Sequence, residues 1–224
     1  MKYKAIVFDL DGTILNTLDD LRDSVNYALA EYGLPGQSHE QMIPNVGNGV
    51  RYLVEKSVPG GESYPHFEQL FSVFKKHYAE NCCNKTCPFD GIIPVMKKFK
   101  AAGVKMAVIT NKFQSAADDV CEKYFPGLLD VVLGEVPGMP RKPAPDIVFK
   151  ALSKMGVALE DAAMFGDSDT DEKTAQNAKI SHCAVLWGFR TREQLLAAGA
   201  ENFISKPEEM IDFIEGKVLY NRAK

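Results

Sequence analysis

The chain has 224 residues, a formal net charge of -4 and 46% hydrophobic residues. This composition excludes the basic surface of a nucleic-acid-binding protein and the low hydrophobicity of a disordered chain. No apolar run approaches the roughly 20 residues that span a bilayer, and no secretory signal precedes the first aspartate. We therefore expect a cytoplasmic protein without nucleic-acid or membrane partners, folded as one large or two small domains.

The first predicted element is a buried strand that is followed by two acids. Ala5–Phe8 is a short apolar run, typical of a strand buried on both faces of a parallel sheet. Side chains two positions apart on an extended chain point to the same side, so Asp9 and Asp11 can face one cavity, and Gly12 allows a sharp turn. Such close carboxylates predict a shared proton or a divalent metal such as Mg²⁺, although turn formation before the glycine is an alternative.

The next predicted elements are helices. Apolar residues recur at helical spacing over residues 18–32 and 67–78, and the glycine-rich loop NVGNG at 45–49 leads into a further helix. No convincing strand occurs here, so we expect an all-helical insert, residues 16–85, within a core formed by residues 1–15 and 86–224. The loop could bind an anion through its backbone N–H groups, and a simple glycine turn is equally consistent.

Cysteines occur near the end of this insert. Cys82, Cys83 and Cys87 lie close to His77, but their spacing lacks the paired C-x-x-C pattern of structural zinc sites. The chain has five cysteines, an odd number that disfavours a complete disulfide framework. We therefore expect reduced cysteines.

Beyond about residue 88, helix and strand patterns alternate, which is typical of a parallel α/β sheet. The apolar run at residues 104–109 predicts a buried strand that ends at Thr110 and Asn111. Parallel sheets bind ligands at the carboxyl ends of their strands, where both side chains could donate hydrogen bonds to a phosphoryl group. A helix cap is the alternative for this pair.

Two later loops carry further charged residues. Prolines stiffen the loop RKPAPD at 141–146, and a rigidly held Lys142 would neutralise a phosphate, although a surface lysine is the alternative. A strand predicted at 162–165 leads into GDSDTD, whose Asp167 and Asp171 add negative charge that a divalent cation would offset. We assign Asp169 to the charge of a helix N-terminus. The sequence of the remaining tail predicts strands and helices that carry no catalytic chemistry.

Four of these stretches resemble a known family. FDLDGT at 8–13 resembles the first motif of the haloacid dehalogenase superfamily of phosphohydrolases, and ITNK at 109–112, the Lys142 loop and GDSDTD resemble the second, third and fourth motifs in the family's order. The resemblance implies a Rossmann-like, doubly wound parallel sheet in three αβα layers. It also implies that the helical insert is a cap domain.

The resemblance further implies a role for each residue. Asp9 would be the nucleophile and Asp11 the general acid and base, while the phosphoryl oxygens would be held by Thr110, Asn111 and Lys142. The implied cofactor is Mg²⁺, with metal residues at Asp9, Asp11, Asp167 and Asp171, the last assisting through water or by orienting Lys142. The predicted substrate-binding residues are Asn111 and Gly12 within these motifs, and Asn48, Gly49 and Arg51 in the insert. Solvated charge on a helix face is an alternative reading of Arg51.

NTLDDL at 16–21, YGLP at 32–35 and VGNG at 46–49 resemble the phosphoglycolate phosphatase branch. They imply an Mg²⁺-dependent phosphomonoester hydrolase with an aspartyl-phosphate intermediate, acting on 2-phosphoglycolate or a similar small metabolite as a monomer or weak homodimer. Sugar phosphates, nucleotides and pyrophosphate are alternative substrates. A phosphosugar mutase is a further alternative, although that branch has a histidine in the first cap helix where this chain has residues 18–22, LDDLR. A binding protein that kept the fold and lost the chemistry would lack one of the catalytic residues.

Overall fold

The computed structural model describes residues 1–217, so residues 218–224 at the end of the predicted core lie outside it. In chain order the strands are β1 (Ala5–Phe8), β2 (Leu15–Asn16), β3 (Cys87–Pro88), β4 (Lys105–Phe113), β5 (Val131–Glu135), β6 (Ala162–Gly166), β7 (Ser181–Val185) and β8 (Phe203–Ile204). The α-helices are α1 (Leu18–Glu31), α2 (His39–Met42), α3 (Val50–Ser57), α4 (Phe67–Asn81), α5 (Ile92–Ala101), α6 (Gln114–Tyr124), α7 (Asp146–Met155), α8 (Asp169–Ala178), α9 (Arg192–Ala198) and α10 (Glu209–Glu215).

Six parallel strands form the central sheet in the order β5-β4-β1-β6-β7-β8, and helices cover both faces. Alternate side chains of β1 serve the two faces, as the strand geometry requires. Ile6 and Phe8 belong to a core that includes residues of α5, α6 and α10, whereas Ala5 and Val7 pack with residues of α7 and α8. This arrangement confirms the predicted doubly wound α/β fold in three layers.

The second strand of the core is longer than the sequence indicates. β4 continues to Phe113, whereas the apolar run predicts an end at residue 109. Its pairing with β5 shifts in register between Ile109 and Phe113, and Phe113 then pairs with Glu135. Thr110 and Asn111 therefore lie within the strand, near its carboxyl end.

The helical insert lies between β2 and β3, an antiparallel pair in which Leu15 faces Pro88. Within the insert, α1 packs against α4, which carries an aromatic stack of Phe67, Phe71, Phe74 and Tyr78. The buried carboxylate of Asp20 on α1 accepts hydrogen bonds from the backbone N–H groups of Lys85 and Thr86 at 2.8–3.0 Å, which ties α1 to the returning chain. No helix within residues 1–217 is both long and apolar enough to cross a membrane.

Candidate active site

The two acids after β1 lie at the carboxyl edge of the sheet. The backbone N–H of Asp9 continues the sheet pairing by donating to the Phe165 carbonyl at 2.9 Å, and the side chains of Asp9 and Asp11 are both buried. Gly12 follows with a φ of 90°. A Cβ at this position would lie 2.4 Å from Oδ2 of Asp167, so only glycine allows the chain to pass this close to the carboxylate.

Lys142 joins two of the buried carboxylates. Its Nζ lies 2.6 Å from Oδ1 of Asp9 and 2.7 Å from Oδ1 of Asp171. Asn111 holds the lysine backbone, because it accepts a bond from the Lys142 N–H at 2.9 Å and donates to the Lys142 carbonyl at 3.1 Å. Burial alone would lower the pKa of Lys142, but Asp171 and Asp9 raise it above its ordinary value, so the lysine stays charged. Neighbouring Arg141 instead pairs with Glu135 at an exposed position.

Asp167 and Asp171 are held by different donors. Asp167 accepts bonds from the Thr13 hydroxyl at 3.2 Å and from the Phe189 N–H at 2.7 Å. Asp171 caps the start of α8 together with Ser168, whose hydroxyl donates to it at 2.6 Å. Burial alone would raise the pKa of Asp171, but Lys142 and Ser168 hold it below its ordinary value.

The donor set fits a hard divalent cation. Asp9, Asp167 and Asp171 each offer a carboxylate oxygen within 4.8 Å of the others, and they form the single cluster of potential metal ligands found within residues 1–217. Burial and the charge of Asp171 raise the pKa of Asp167 to about 7, and the same two causes raise the pKa of Asp9 well above its ordinary value. The single ammonium of Lys142 therefore leaves excess negative charge, which a bound cation would neutralise.

Lys112 is a buried residue at the site to which the sequence analysis assigned no role. Its side chain is fully buried, and its Nζ donates to Oδ1 of Asp11 at 2.8 Å and lies 5.0 Å from the ring centre of Tyr78. Burial alone would lower the pKa of Lys112, but Asp11 and Tyr78 raise it above its ordinary value. The available signal was a lysine directly after Thr110 and Asn111, inside the ITNK stretch.

A cavity separates these residues from the insert. The core contributes Asp9, Asp11, Thr110, Asn111 and Lys112, and the insert contributes Leu21, Val46, Gly47, Gly49, Val50 and Leu53. The predicted substrate residue Gly49 thus lines the cavity. Asn48 does not, and its side chain accepts a bond from the Thr170 hydroxyl at 3.0 Å. Asn48 therefore links the insert to α8.

Arg51 is not brought to the cavity, in contrast to its predicted role in substrate binding. Its guanidinium pairs with Glu62 at 2.6 Å and Glu68 at 2.5 Å and lies over the rings of Phe67 and Phe71. The charge of Arg51 is therefore neutralised by acidic side chains of the insert. This placement agrees with the alternative interpretation, in which Arg51 is a charge on a helix face.

Arg190 is a second residue that the sequence analysis did not single out, since the tail was expected to lack chemistry of its own. The buried guanidinium donates to the carbonyls of Ile43, Pro44 and Val46 at 2.8–3.1 Å. A core loop thereby holds the segment of the insert that leads into the cavity. Asn111 adds a bond to the Gly47 carbonyl at 3.1 Å.

The cysteines contribute nothing to the site. All five are free, and the Sγ atoms of Cys82 and Cys83 lie 3.8 Å apart without a disulfide bond. None belongs to the metal-ligand cluster found in the described part of the chain.

Comparison with known proteins identifies the family. The model of the haloacid dehalogenase-like hydrolases matches residues 6–185, which includes all four motifs. The chain belongs to this family of hydrolases. The predicted resemblance to its phosphoglycolate phosphatase branch is confirmed by the relatives.

A phosphoglycolate phosphatase of Thiobacillus denitrificans is 35% identical over 83% of this chain and 84% of its own length. An N-acetylmuramic acid 6-phosphate phosphatase of Pseudomonas aeruginosa is 28% identical over 96% of each chain. A solved structure from Lactobacillus delbrueckii subsp. bulgaricus, a candidate phosphoglycolate phosphatase, has a TM-score of 0.90 at 35% identity and covers 96% of this chain and 99% of its own. Relatives that span most of the chain thus have names that give different substrates.

Proposed function

We propose that the protein is an Mg²⁺-dependent phosphomonoester hydrolase that forms an aspartyl phosphate on Asp9. The observation that carries this proposal is the buried cluster in which Lys142 contacts Asp9 and Asp171 beside Asp167. A carboxylate held next to a cation and a candidate metal position is suited to attack phosphorus while the surrounding charges offset those of the phosphoryl group.

The residues divide the reaction into two steps. In the first, an oxygen of Asp9 attacks phosphorus, the ester P–O bond breaks, and Asp11 gives a proton to the leaving alcohol. In the second, Asp11 takes a proton from a water molecule whose oxygen attacks phosphorus, the Asp9–phosphorus bond breaks, and inorganic phosphate leaves. Thr110 and Lys142 would hold the equatorial oxygens, and Asn111, which bonds to the Lys142 backbone, would orient that lysine.

Asp9, Asp167 and the Asp11 carbonyl would hold Mg²⁺, and Asp171 would assist by orienting Lys142, since both of its oxygens already accept bonds. Bound there, the ion would supply positive charge that offsets the charge of the transferring phosphoryl group. The insert, which we place at residues 16–85, would act as a cap that excludes bulk water from the cavity.

2-Phosphoglycolate or a similar small ester is the proposed substrate, in the cytoplasm. Relatives of that name span most of this chain, and the cavity between the core and the insert is lined by the proposed catalytic residues Asp9 and Asp11. The Pseudomonas relative makes sugar phosphates the second candidate class.

Phosphate release from a substrate panel tests the proposal. The panel comprises 2-phosphoglycolate, hexose and amino-sugar phosphates, nucleotides and pyrophosphate, each with Mg²⁺ and with a chelator. We expect Mg²⁺-dependent turnover with the highest kcat/KM for 2-phosphoglycolate. A preference for a sugar phosphate would move the substrate to the second class, and turnover that is independent of divalent metal would contradict the proposed cofactor.

A further inference from the structure

Lys112 lines the cavity and is charged, but the proposed reaction gives its ammonium group no function. The ammonium group has three N–H donors, and one of them goes to Asp11 at 2.8 Å. Its side chain lies at the cavity and is screened from solvent. Among the described residues that line the cavity, Lys112 alone carries a positive charge.

The insert offers the opposite surface. The side chains that it contributes to the cavity are those of Leu21, Val46, Val50 and Leu53, all apolar. Arg51, which could have supplied a charge, is held by Glu62 and Glu68. A charged group placed against this apolar surface would be buried without a partner, which is unfavourable.

Distance connects Lys112 to the leaving group of the substrate. The ester oxygen must come within hydrogen-bond reach of Asp11, roughly 2.6 to 3.2 Å, to receive its proton. Lys112 already lies at that distance from Asp11. Atoms two or three bonds beyond the ester oxygen therefore come within reach of the ammonium group, and in an ester of a 2-hydroxy acid those atoms are the carboxyl carbon and its two oxygens.

We propose that Lys112 determines specificity by binding the anionic end of the leaving group, so that the site selects phosphate esters of short hydroxycarboxylic acids. This inference rests on the proposed phosphatase function. It assigns carboxylate recognition to a core lysine and a size limit to the apolar residues of the insert. A neutral ester of the same size would offer Lys112 no negative charge to bind. A longer ester would collide with the side chains of Val50 and Leu53.

The test compares kcat/KM for 2-phosphoglycolate and 2-hydroxyethyl phosphate, in which a neutral alcohol replaces the carboxylate. A charge-assisted hydrogen bond of about 1.5 to 3 kcal/mol corresponds to about a 10- to 100-fold preference of the unaltered enzyme for 2-phosphoglycolate. In Lys112→Met the preference should fall toward equality, whereas Lys112→Arg should keep most of it. Both rates can drop in Lys112→Met because Asp11 loses its partner, so the ratio is the informative quantity.

Equal kcat/KM values for the two esters in the unaltered enzyme would overturn the inference whether or not the variants fold. An unchanged ratio in a folded Lys112→Met protein would also overturn it and would leave Lys112 as a positioning residue for Asp11. Failure of the phosphatase function itself has a separate signature, because the unaltered enzyme would then hydrolyse neither ester in the presence of Mg²⁺.

Discussion

Asp167 is a buried carboxyl group whose environment favours its neutral form. Burial and the charge of Asp171 raise its pKa to about 7, although the Phe189 N–H and the Thr13 hydroxyl favour the charged form. The pKa in the folded protein is thus above that in the unfolded chain. The stability that this group contributes is fully present below its ordinary pKa and is lost as the pH rises through about 7.

We therefore predict that the free energy of unfolding of the metal-free protein decreases by about 3 kcal/mol between about pH 5 and pH 8 through this group. Chemical denaturation at several pH values measures the effect, and Asp167→Asn should flatten the profile because the amide does not titrate. Mg²⁺ should stabilise the unaltered protein more at the higher pH, where the carboxylate is ionised. Parallel profiles for the unaltered protein and Asp167→Asn would show that Asp167 does not titrate in this range.

Individual residues differ in how far the sequence predicts their placement. Asp9, Asp11 and Asp167 follow apolar strands directly, so period-two geometry and parallel sheet topology suffice to bring them to one edge. Lys112 was assigned no role because its contact with Asp11 joins residues 101 positions apart, and no local pattern reports such a contact. The placement of Arg51 away from the cavity was not predictable from its neighbours in sequence, since its partners Glu62 and Glu68 lie on later helices of the insert.

At the level of elements, the end of β4 shows what local patterns omit. The apolar run stops at residue 109, yet pairing with β5 resumes at Phe113 after a register shift. The hydrogen bonds that extend a strand depend on its neighbour, and that neighbour is formed by residues 131–135. Short elements such as α2 escape prediction for a related reason, because a four-residue helix has too few positions to show periodicity.

Arg190 holds residues 43–46 of the insert through hydrogen bonds to their backbone. Its guanidinium provides charge-assisted bonds to three carbonyl groups, which would be left without these donors in Arg190→Ala. Because this segment leads into cavity residues Gly47 and Gly49, we predict that Arg190→Ala raises KM about tenfold for the preferred substrate, with a smaller change in kcat. Steady-state kinetics under saturating Mg²⁺ measures both constants.

Arg51→Ala is the matched control, since it removes an arginine that adjoins the same loop but points to Glu62 and Glu68. We expect KM within about twofold of the unaltered enzyme and a loss of stability of about 1 kcal/mol or less, as is usual for exposed ion pairs. If Arg51→Ala raised KM as much as Arg190→Ala, Arg51 would contribute to substrate binding despite its ion pairs with Glu62 and Glu68.

For the whole molecule, hydrophobic pattern determines the layers, and the insert meets the core through apolar and polar contacts together. The alternation of helix and strand after residue 88 was enough to predict a parallel sheet covered on both faces, because such a pattern has few other compact solutions. The polar contacts between insert and core include Arg190 with Val46, Asn111 with Gly47 and Thr170 with Asn48. Such contacts between distant polar residues carry no sequence signal that hydrophobic periodicity could detect.

The central claim is that Asp9 forms a covalent bond to phosphorus. The most direct measurement is acid quenching of the enzyme during turnover of 2-phosphoglycolate with Mg²⁺, followed by mass spectrometry of the peptide that contains Asp9. We predict one added phosphoryl group on Asp9 in the unaltered enzyme, and neither this group nor turnover in Asp9→Asn. Turnover that persists in Asp9→Asn, or phosphoryl transfer to another residue, would contradict the mechanism.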